Sequence, residues 1–488
     1  MPRALGRRAP QPQPAVGSEP RPRGRARSWL PPYFHRHVGA ATPFFRTGRS
    51  LRGIALICGF GVWAFVRSGT GVLAQEQRWQ AHVQSTYILQ LKPGFRAAYS
   101  GPHSLSAGFE DSYSWTTTLM LGVRPWSGAG LYFNPEAAQG VALSRLTGLA
   151  GFTNGEISRT AGPTLTFYRA RLYWQQYLPL GGEPSIVEEG ENQLPLHSTS
   201  RRAVLTVGNL SVLDLFDANR LAHDPRTDFL NWALMTHAAY DYAADARGYS
   251  WGATAELFWD DWAIRFGRFA QPKQPNQLPL DSRIFQHFGD QLEIERQFTL
   301  RANPGALRLL GMRNRAVMAR YEDALQAAKR TGRTPTLDAV RTAPREKLGV
   351  GISADQDIAP WLGIFFRGFW ADGKTETYAF TEADRSLAFG TVISGRPWGR
   401  GFDRLGIAFA RQWLSAPHRK YLEAGGLGFF LGDGALHYGA ETLVEAFYAI
   451  PVLPIFELTL DFQHIWNPGY NADRGPVMVF STRLHAVI

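Results

Sequence analysis

One cysteine, Cys58, occurs in 488 residues, which excludes a disulfide framework and any thiolate metal centre. The chain also lacks a stretch of about 20 apolar residues, the length a helix needs to cross a bilayer. Signatures of common enzymes are missing too. Twelve histidines occur without His-Glu-x-x-His spacing, and no Gly-x-Gly-x-x-Gly leads from a strand into a helix. Acidic residues are nearly absent from the first 74 positions, which hold 12 of the 52 Lys and Arg but only Glu19 of the 41 Asp and Glu, leaving 40 of each sign in the remainder. The net charge of +11 therefore belongs to the leading segment, and a nucleic-acid partner has no basis in it. No cofactor or metal site is expected.

The leading segment has a secretory layout. Arg46, Arg49 and Arg52 precede an apolar run at 53–66, and Gly71-Val-Leu-Ala74 follows before Gln75. Small residues at Val72 and Ala74 suit signal peptidase, so cleavage is expected near Ala74, with 1–74 removed and 75–488 forming the working protein.

What the remainder does contain is alternation. Fifty glycines and 13% aromatic residues describe short amphipathic strands joined by turns. In 477–488, Met478, Phe480, Leu484, Ala486 and Ile488 share one face, and Ser481, Arg483 and His485 the other. In 454–466, Phe456, Leu458, Leu460 and Phe462 oppose Glu457, Thr459, Asp461 and Gln463. Such two-faced strands fit a wall between lipid and water. Sixteen can be traced, beginning near Trp79, Tyr113, Gly128, Thr164, Arg202, Gly248, Trp262, Gly289, Ala306, Lys347, Trp361, Arg385, Asp403, Leu436, Pro454 and Val477. Short and long links alternate between them, as in outer-membrane barrels, with one exception: 177–201 should be a short turn but is long. The fold expected is an all-β, 16-stranded antiparallel transmembrane barrel. A helix is expected at 317–330, in a long loop, and the polar and aromatic segment 211–247 is expected to fold inward as a constriction loop.

That segment contains Asp214-Leu-Phe-Asp217, Asn219-Arg220, His223-Asp-Pro-Arg226 and Asp228-Phe-Leu-Asn-Trp232. Together with 240–252, 289–296, 424–434 and 467–485, it resembles the carbohydrate-selective porins of bacterial outer membranes, the OprB type, over a span from about Trp79 to the C-terminus. The resemblance implies a sixteen-stranded barrel passing mono- and small oligosaccharides by passive or facilitated diffusion. It implies carbohydrate solutes, outer-membrane lipid and lipopolysaccharide, and the barrel-insertion machinery as partners, and leaves monomer and homotrimer open. Ile488 departs from the terminal Phe common in the family.

A sugar channel needs hydrogen-bonding groups and flat apolar faces in its lumen. Alternation places Arg169, Arg171, Glu256, Arg265, Glu293, Glu295, Phe365, Arg367, Phe369, Glu441, Glu445, Glu457 and Asp461 inward. The constriction loop adds Asp217, Asn219, Arg220 and Asp228. Phe365 and Phe369 are read as a stacking pair around Arg367, and Arg296 as an outward residue near an interface. For any one lumen charge, bracing the wall is the commoner role and solute contact the rarer. Other readings are a general-diffusion or export barrel, or a barrel enzyme with His223, His237 or His485 beside a serine and an acid.

Overall fold

A computed structural model of the protein describes residues 77–488; the expected leader and the expected cleavage near Ala74 lie outside the described residues. Sixteen strands follow in chain order: β1 (Trp79–Lys92), β2 (Glu110–Val123), β3 (Ala129–Val141), β4 (Thr166–Val187), β5 (Leu196–Leu210), β6 (Ser250–Trp259), β7 (Trp262–Ala270) and β8 (Phe288–Leu300), then β9 (Asn303–Val317), β10 (Pro344–Ala359), β11 (Leu362–Ala371), β12 (Arg385–Gly395), β13 (Arg400–Trp413), β14 (Glu441–Leu453), β15 (Phe456–Trp466) and β16 (Val477–Val487). Each is antiparallel to its neighbours, and β1 pairs with β16, from Gln84 opposite Val487 to Leu91 opposite Phe480, closing the barrel. Closure leaves no unpaired sheet edge, which a wall in hydrocarbon cannot tolerate.

Turns lie at one end and long loops at the other. The sixteen strands are those read from alternation, with two shifts. The strand expected near Leu436 begins at Glu441, because Tyr438 is held outside the sheet in a bridge with Asn471. Residues 177–201 are not an overlong turn: β4 and β5 continue as a paired hairpin until Val187 lies opposite Leu196, with irregularities around Pro179, Gly181 and Pro184. The loops carry three helices, α1 (Trp232–Met235), α2 (Tyr321–Thr331) and α3 (Ala416–Glu423). Helix α2 matches the one expected at 317–330. Glu322 and Asp323 in its first turn and Lys329 and Arg330 in its last complement its dipole, and Gly332, at φ 67°, ends it in the left-handed conformation.

Outward side chains form an apolar band between two aromatic girdles: Trp251, Trp370 and Trp466 near the loop end, Trp79, Trp259, Trp262 and Trp361 near the turns. Arg296 faces outward over the Trp262 ring, in the second girdle. The inward faces do not line an empty pipe. Gln84, Thr116, Glu293, Arg367, Glu445, Thr459 and Arg483 are all buried, because two long loops enter the barrel. Loop 211–249 was expected there; loop 142–165 was not. It is fastened by Gln90 and Gln463, both donating to the Thr153 carbonyl (3.0 and 2.7 Å), and by Asn154 donating to Ser114 (2.9 Å). Between the loops lies a core with Phe152, Phe216, Trp232, Tyr240 and Phe369.

Candidate functional site

Loop 211–249 leaves β5 through a capping box. Ser211 accepts from the Leu213 amide, and Asp214 accepts from the Ser211 amide at 3.0 Å. The chain then turns sharply at Asp217, whose φ of 55° is left-handed, a conformation Asp tolerates better than most residues. This turn aims the Asp217 amide at Glu293 on β8 (2.8 Å) and its carboxylate at Arg367 on β11 (2.9 Å). Thr236 and the His237 amide donate to the same carboxylate, at 2.9 and 3.0 Å, and Arg367 also donates to the Leu234 carbonyl at 2.8 Å. One buried guanidinium thus fastens both limbs of the loop to the wall. Gly349 and Gly351 on β10 leave the room above the wall into which Phe369 and His237 pack; a Cβ at Gly351 would meet Phe369 at 2.6 Å.

A ladder of charge runs around the wall beside this clasp. Arg265 on β7 donates to Glu256 on β6 (2.9 Å) and to Glu293 and Glu295 on β8 (2.9 and 2.8 Å). Arg308 on β9 links Glu295 (3.1 Å) to Asp355 on β10 (2.6 Å). Arg220 of the loop continues the row to Asp355 (3.3 Å) and Asp357 (2.6 Å), and Asn219 donates to Ser353 and the Ala354 carbonyl, both at 3.2 Å. Across the lumen, Arg404 on β13 reaches Asp228 and Glu457, both at 3.2 Å. Glu441 accepts from the amides of Ala150, Gly151 and Gly469, and Glu445 from those of Leu230 and Asn231. Asp461 is buried on β15, accepting from Gln463 at 3.3 Å.

Arg169 and Arg171, read as inward neighbours, separate. In β3–β4 pairing the register slips between Asn134 opposite Arg171 and Pro135 opposite Arg169, so β4 carries one extra residue there. Arg171 stays inside, paired through two nitrogens with Asp214 at 2.6 and 2.7 Å. Arg169 turns to the outer surface and lies over the Trp251 ring. Strict alternation cannot foresee this, though Pro135, which has no amide to give a ladder, marks the place. Phe365 and Phe369 do face inward around Arg367, but Phe229 and His237 cover them and no flat face remains for a sugar. Sequence reasoning missed Glu136 and Glu156, which grip Arg226 of the loop at 3.0 and 2.9 Å. It also missed Lys347, 3.1 Å from Asp241, and Arg308. Arg483 was placed inward but given no role; it holds the carbonyls of Pro225, Thr227 and Asp228 at 2.7 to 2.9 Å.

The charged side chains that keep access to water sit on the turn side of the loop. Arg220 is 37% exposed, Asp357 22% and Arg404 20%. Two of the histidines that the enzyme reading needs are held in other contacts: His485 meets Thr86 at 2.8 Å, and His237 lies 3.5 Å from Asp217, whose carboxylate Arg367 already holds. A Ser415–His418–Asp384 group does occur in the outer loops. It is wired for structure, with the serine hydroxyl accepting from the His418 amide rather than meeting its ring.

That outer group belongs to a buried latch joining loop 372–384 to loop 414–440. Glu382 accepts from the Phe430 and Leu431 amides at 2.8 and 2.6 Å, and burial pushes its carboxyl up to about 8 despite those donors. Burial would also raise the Asp384 carboxyl, but His418, Lys347 and the Ser415 amide together outweigh it and leave it at about 2. The folded state therefore holds the Glu382 proton through a window in which an unfolded carboxyl, at about 4.3, has lost it. Stability from this group is present at low pH and falls as pH rises from about 4.3 to about 8. Limited proteolysis of loop 414–440 should accordingly be slower at pH 5 than at pH 9, and Glu382→Gln should flatten that difference. An unaltered pH profile in the variant would contradict the assignment.

A closed sixteen-stranded antiparallel barrel with an apolar outer band, aromatic girdles and inward-folded loops is an outer-membrane channel of the porin class. A family profile described as carbohydrate-selective porin, OprB family, matches residues 120–487. The chain belongs to that family; its members are channels rather than enzymes, set in the outer membrane of Gram-negative bacteria and selective for sugars. No curated protein matches the chain. Among solved structures it is similar to the high-pH structure of OprB from Pseudomonas putida, at 14% identity and a TM-score of 0.64, covering 84% of this chain and 94% of that one. The low-pH structure of the same protein gives 11% and 0.47, covering 84% and 93%, and the outer-membrane channel DcaP of Acinetobacter baumannii 8% and 0.47, covering 84% and 97%.

Proposed function

We propose that sugars cross this barrel beside loop 211–249 and make their selective contacts with Arg220, Asp357 and Arg404, while the other lumen charges brace the wall. The observation that carries this reading is exposure: apart from Arg171, 11% exposed and paired with Asp214, the remaining charged candidates inside the barrel are buried and satisfied by one another or by loop amides, whereas these three keep more access to water. Guanidinium and carboxylate groups at such a gap offer charge-assisted hydrogen bonds to hydroxyls leaving their hydration shells.

Single-channel recording in planar bilayers, with sugar titrated as a blocker, tests it. Arg220→Ala should weaken sugar block about three- to tenfold, corresponding to one exposed charge-assisted bond, and shift ion preference toward cations because Asp355 and Asp357 remain. Arg169→Ala, on the outer surface, should leave both unchanged. Equal behaviour of the two variants would remove Arg220 from the selective contact. We further propose that residues 1–74 direct export and are removed before Gln75, as the apolar run and Val72-Leu-Ala74 indicate. N-terminal sequencing of the membrane form would overturn this if it began at Met1.

A further inference from the structure

On the outside of the wall, where β4 to β7 reach the loops, there is a cavity of about 640 Å³. Its floor is built from Arg169, Asn209, Trp251 and Ala270, one residue from each of the four strands. All four continue the outward rows of their strands: Val207 and Trp251 are exposed beside the gap, as are Ile264 and Phe266 farther along β7. Loop 271–287 overhangs the floor with Leu278 and Ile284, and Arg247 closes one side. The opening therefore faces the membrane at the loop-end aromatic girdle, not the channel.

The electrostatics of this cavity differ from those of the lumen. Arg169 lies 5.0 Å over the Trp251 ring and Arg247 4.3 Å over the Tyr168 ring. Among the described residues neither guanidinium forms an ion pair, unlike Arg171, Arg265, Arg308 and Arg367 inside the barrel. Two carboxylates also line the cavity, and both have partners: Asp245 accepts from the amides of Arg247 and Tyr249 and lies in the field of the Arg247 guanidinium, and Asp281 accepts from Arg283 and His287. Stacking on an aromatic face leaves the edge of a guanidinium free to present its fork of N–H donors, which matches phosphate geometry. Trp251 is 43% exposed beneath Arg169, and Leu278 adds apolar surface to the lining.

We propose that this cavity binds the phosphorylated sugar headgroup of an outer-leaflet glycolipid. The extra residue in β4 is what makes the site, since without it Arg169 would point into the lumen. A free sugar phosphate would satisfy the same donors, but the lipid-side opening favours a headgroup anchored in the membrane.

The test uses the barrel purified in detergent and stripped of bound lipid, its folding verified by heat-modifiable migration. Native mass spectrometry would follow titration with diphosphorylated lipid A, with the same lipid dephosphorylated, and with glucose 6-phosphate as competitor. Wild type should bind the phosphorylated lipid, and Arg169→Gln/Arg247→Gln should bind it about tenfold less tightly. Ala270→Trp, which fills the floor and keeps both arginines, should do likewise. The dephosphorylated lipid should bind weakly to every form. Equal binding by wild type and both variants would overturn the proposal. So would displacement of the lipid by glucose 6-phosphate, which would make this a site for a soluble sugar phosphate. A change in oligomer mass without a change in lipid binding would also overturn it, by identifying a contact between copies of the chain.

Discussion

Arg367→Ala should widen the channel. Arg367 and Asp217 are both buried, and the pair joins β11 to the tightest turn of loop 211–249 while also holding Leu234. Truncation strands a carboxylate with no counter-ion, and breaking a buried pair in this way costs about 3–5 kcal/mol. The loop can lower that cost by swinging Asp217 toward water, which moves Phe216, Phe229 and Trp232 out of the lumen. The expected reading is a severalfold rise in single-channel conductance with weakened discrimination between sugars. Arg367→Lys, which keeps the charge but not the fork, should lie between. Wild-type conductance in Arg367→Ala, in a channel that still inserts, would show that the loop is held by other contacts.

Arg265→Ala should instead threaten the barrel itself. Its guanidinium meets Glu256, Glu293 and Glu295 at once, all buried on adjacent strands. Glu295 retains Arg308 and Glu293 retains the Asp217 amide, but Glu256 loses its bonded partner and keeps only the field of Arg202. The expected loss is several kcal/mol, read as a lower urea midpoint and a smaller heat-modifiable fraction. Adding Glu256→Gln should recover part of the loss by removing the stranded charge. By contrast Arg201, which pairs with Asp260 on the exposed turn between β6 and β7, should be replaceable by alanine with no measurable change. Equal effects at Arg265 and Arg201 would show that the lumen ladder carries no more than a surface pair.

The wall was legible in the sequence because alternation is a local property. Glu457, Asp461, Glu293 and Glu441 face inward for the same reason that Leu460 and Phe480 face lipid: period-two chemistry between two solvents. Three things were not legible. The bulge at Arg169 breaks the period without changing composition. The paired extension of β4 and β5 resembles a loop because it lies past the apolar band and its residues need not alternate in polarity. The filling of the lumen depends on contacts between residues far apart in the chain, such as Glu445 with Leu230 and Glu441 with Gly151. Hence Thr459, which alternation points toward water, is buried against Arg483. Even the loop residues that could be named as candidates, Asp217 and Asp228, turn out to be anchors; Arg220 is the one that both anchors and meets water.

The seam between β1 and β16 constrains how the barrel can be made. Thr86 meets His485 across 399 positions of chain, so the last pairing to be completed has nearly the greatest sequence separation the fold contains. Loop closure over such a span is slow and yields nothing until its end. Throughout that time the growing sheet carries two open margins, each a template for a foreign strand. Assembly is therefore exposed to mispairing until β16 arrives, and a helper that holds those margins apart would act on kinetics, leaving the finished stability untouched.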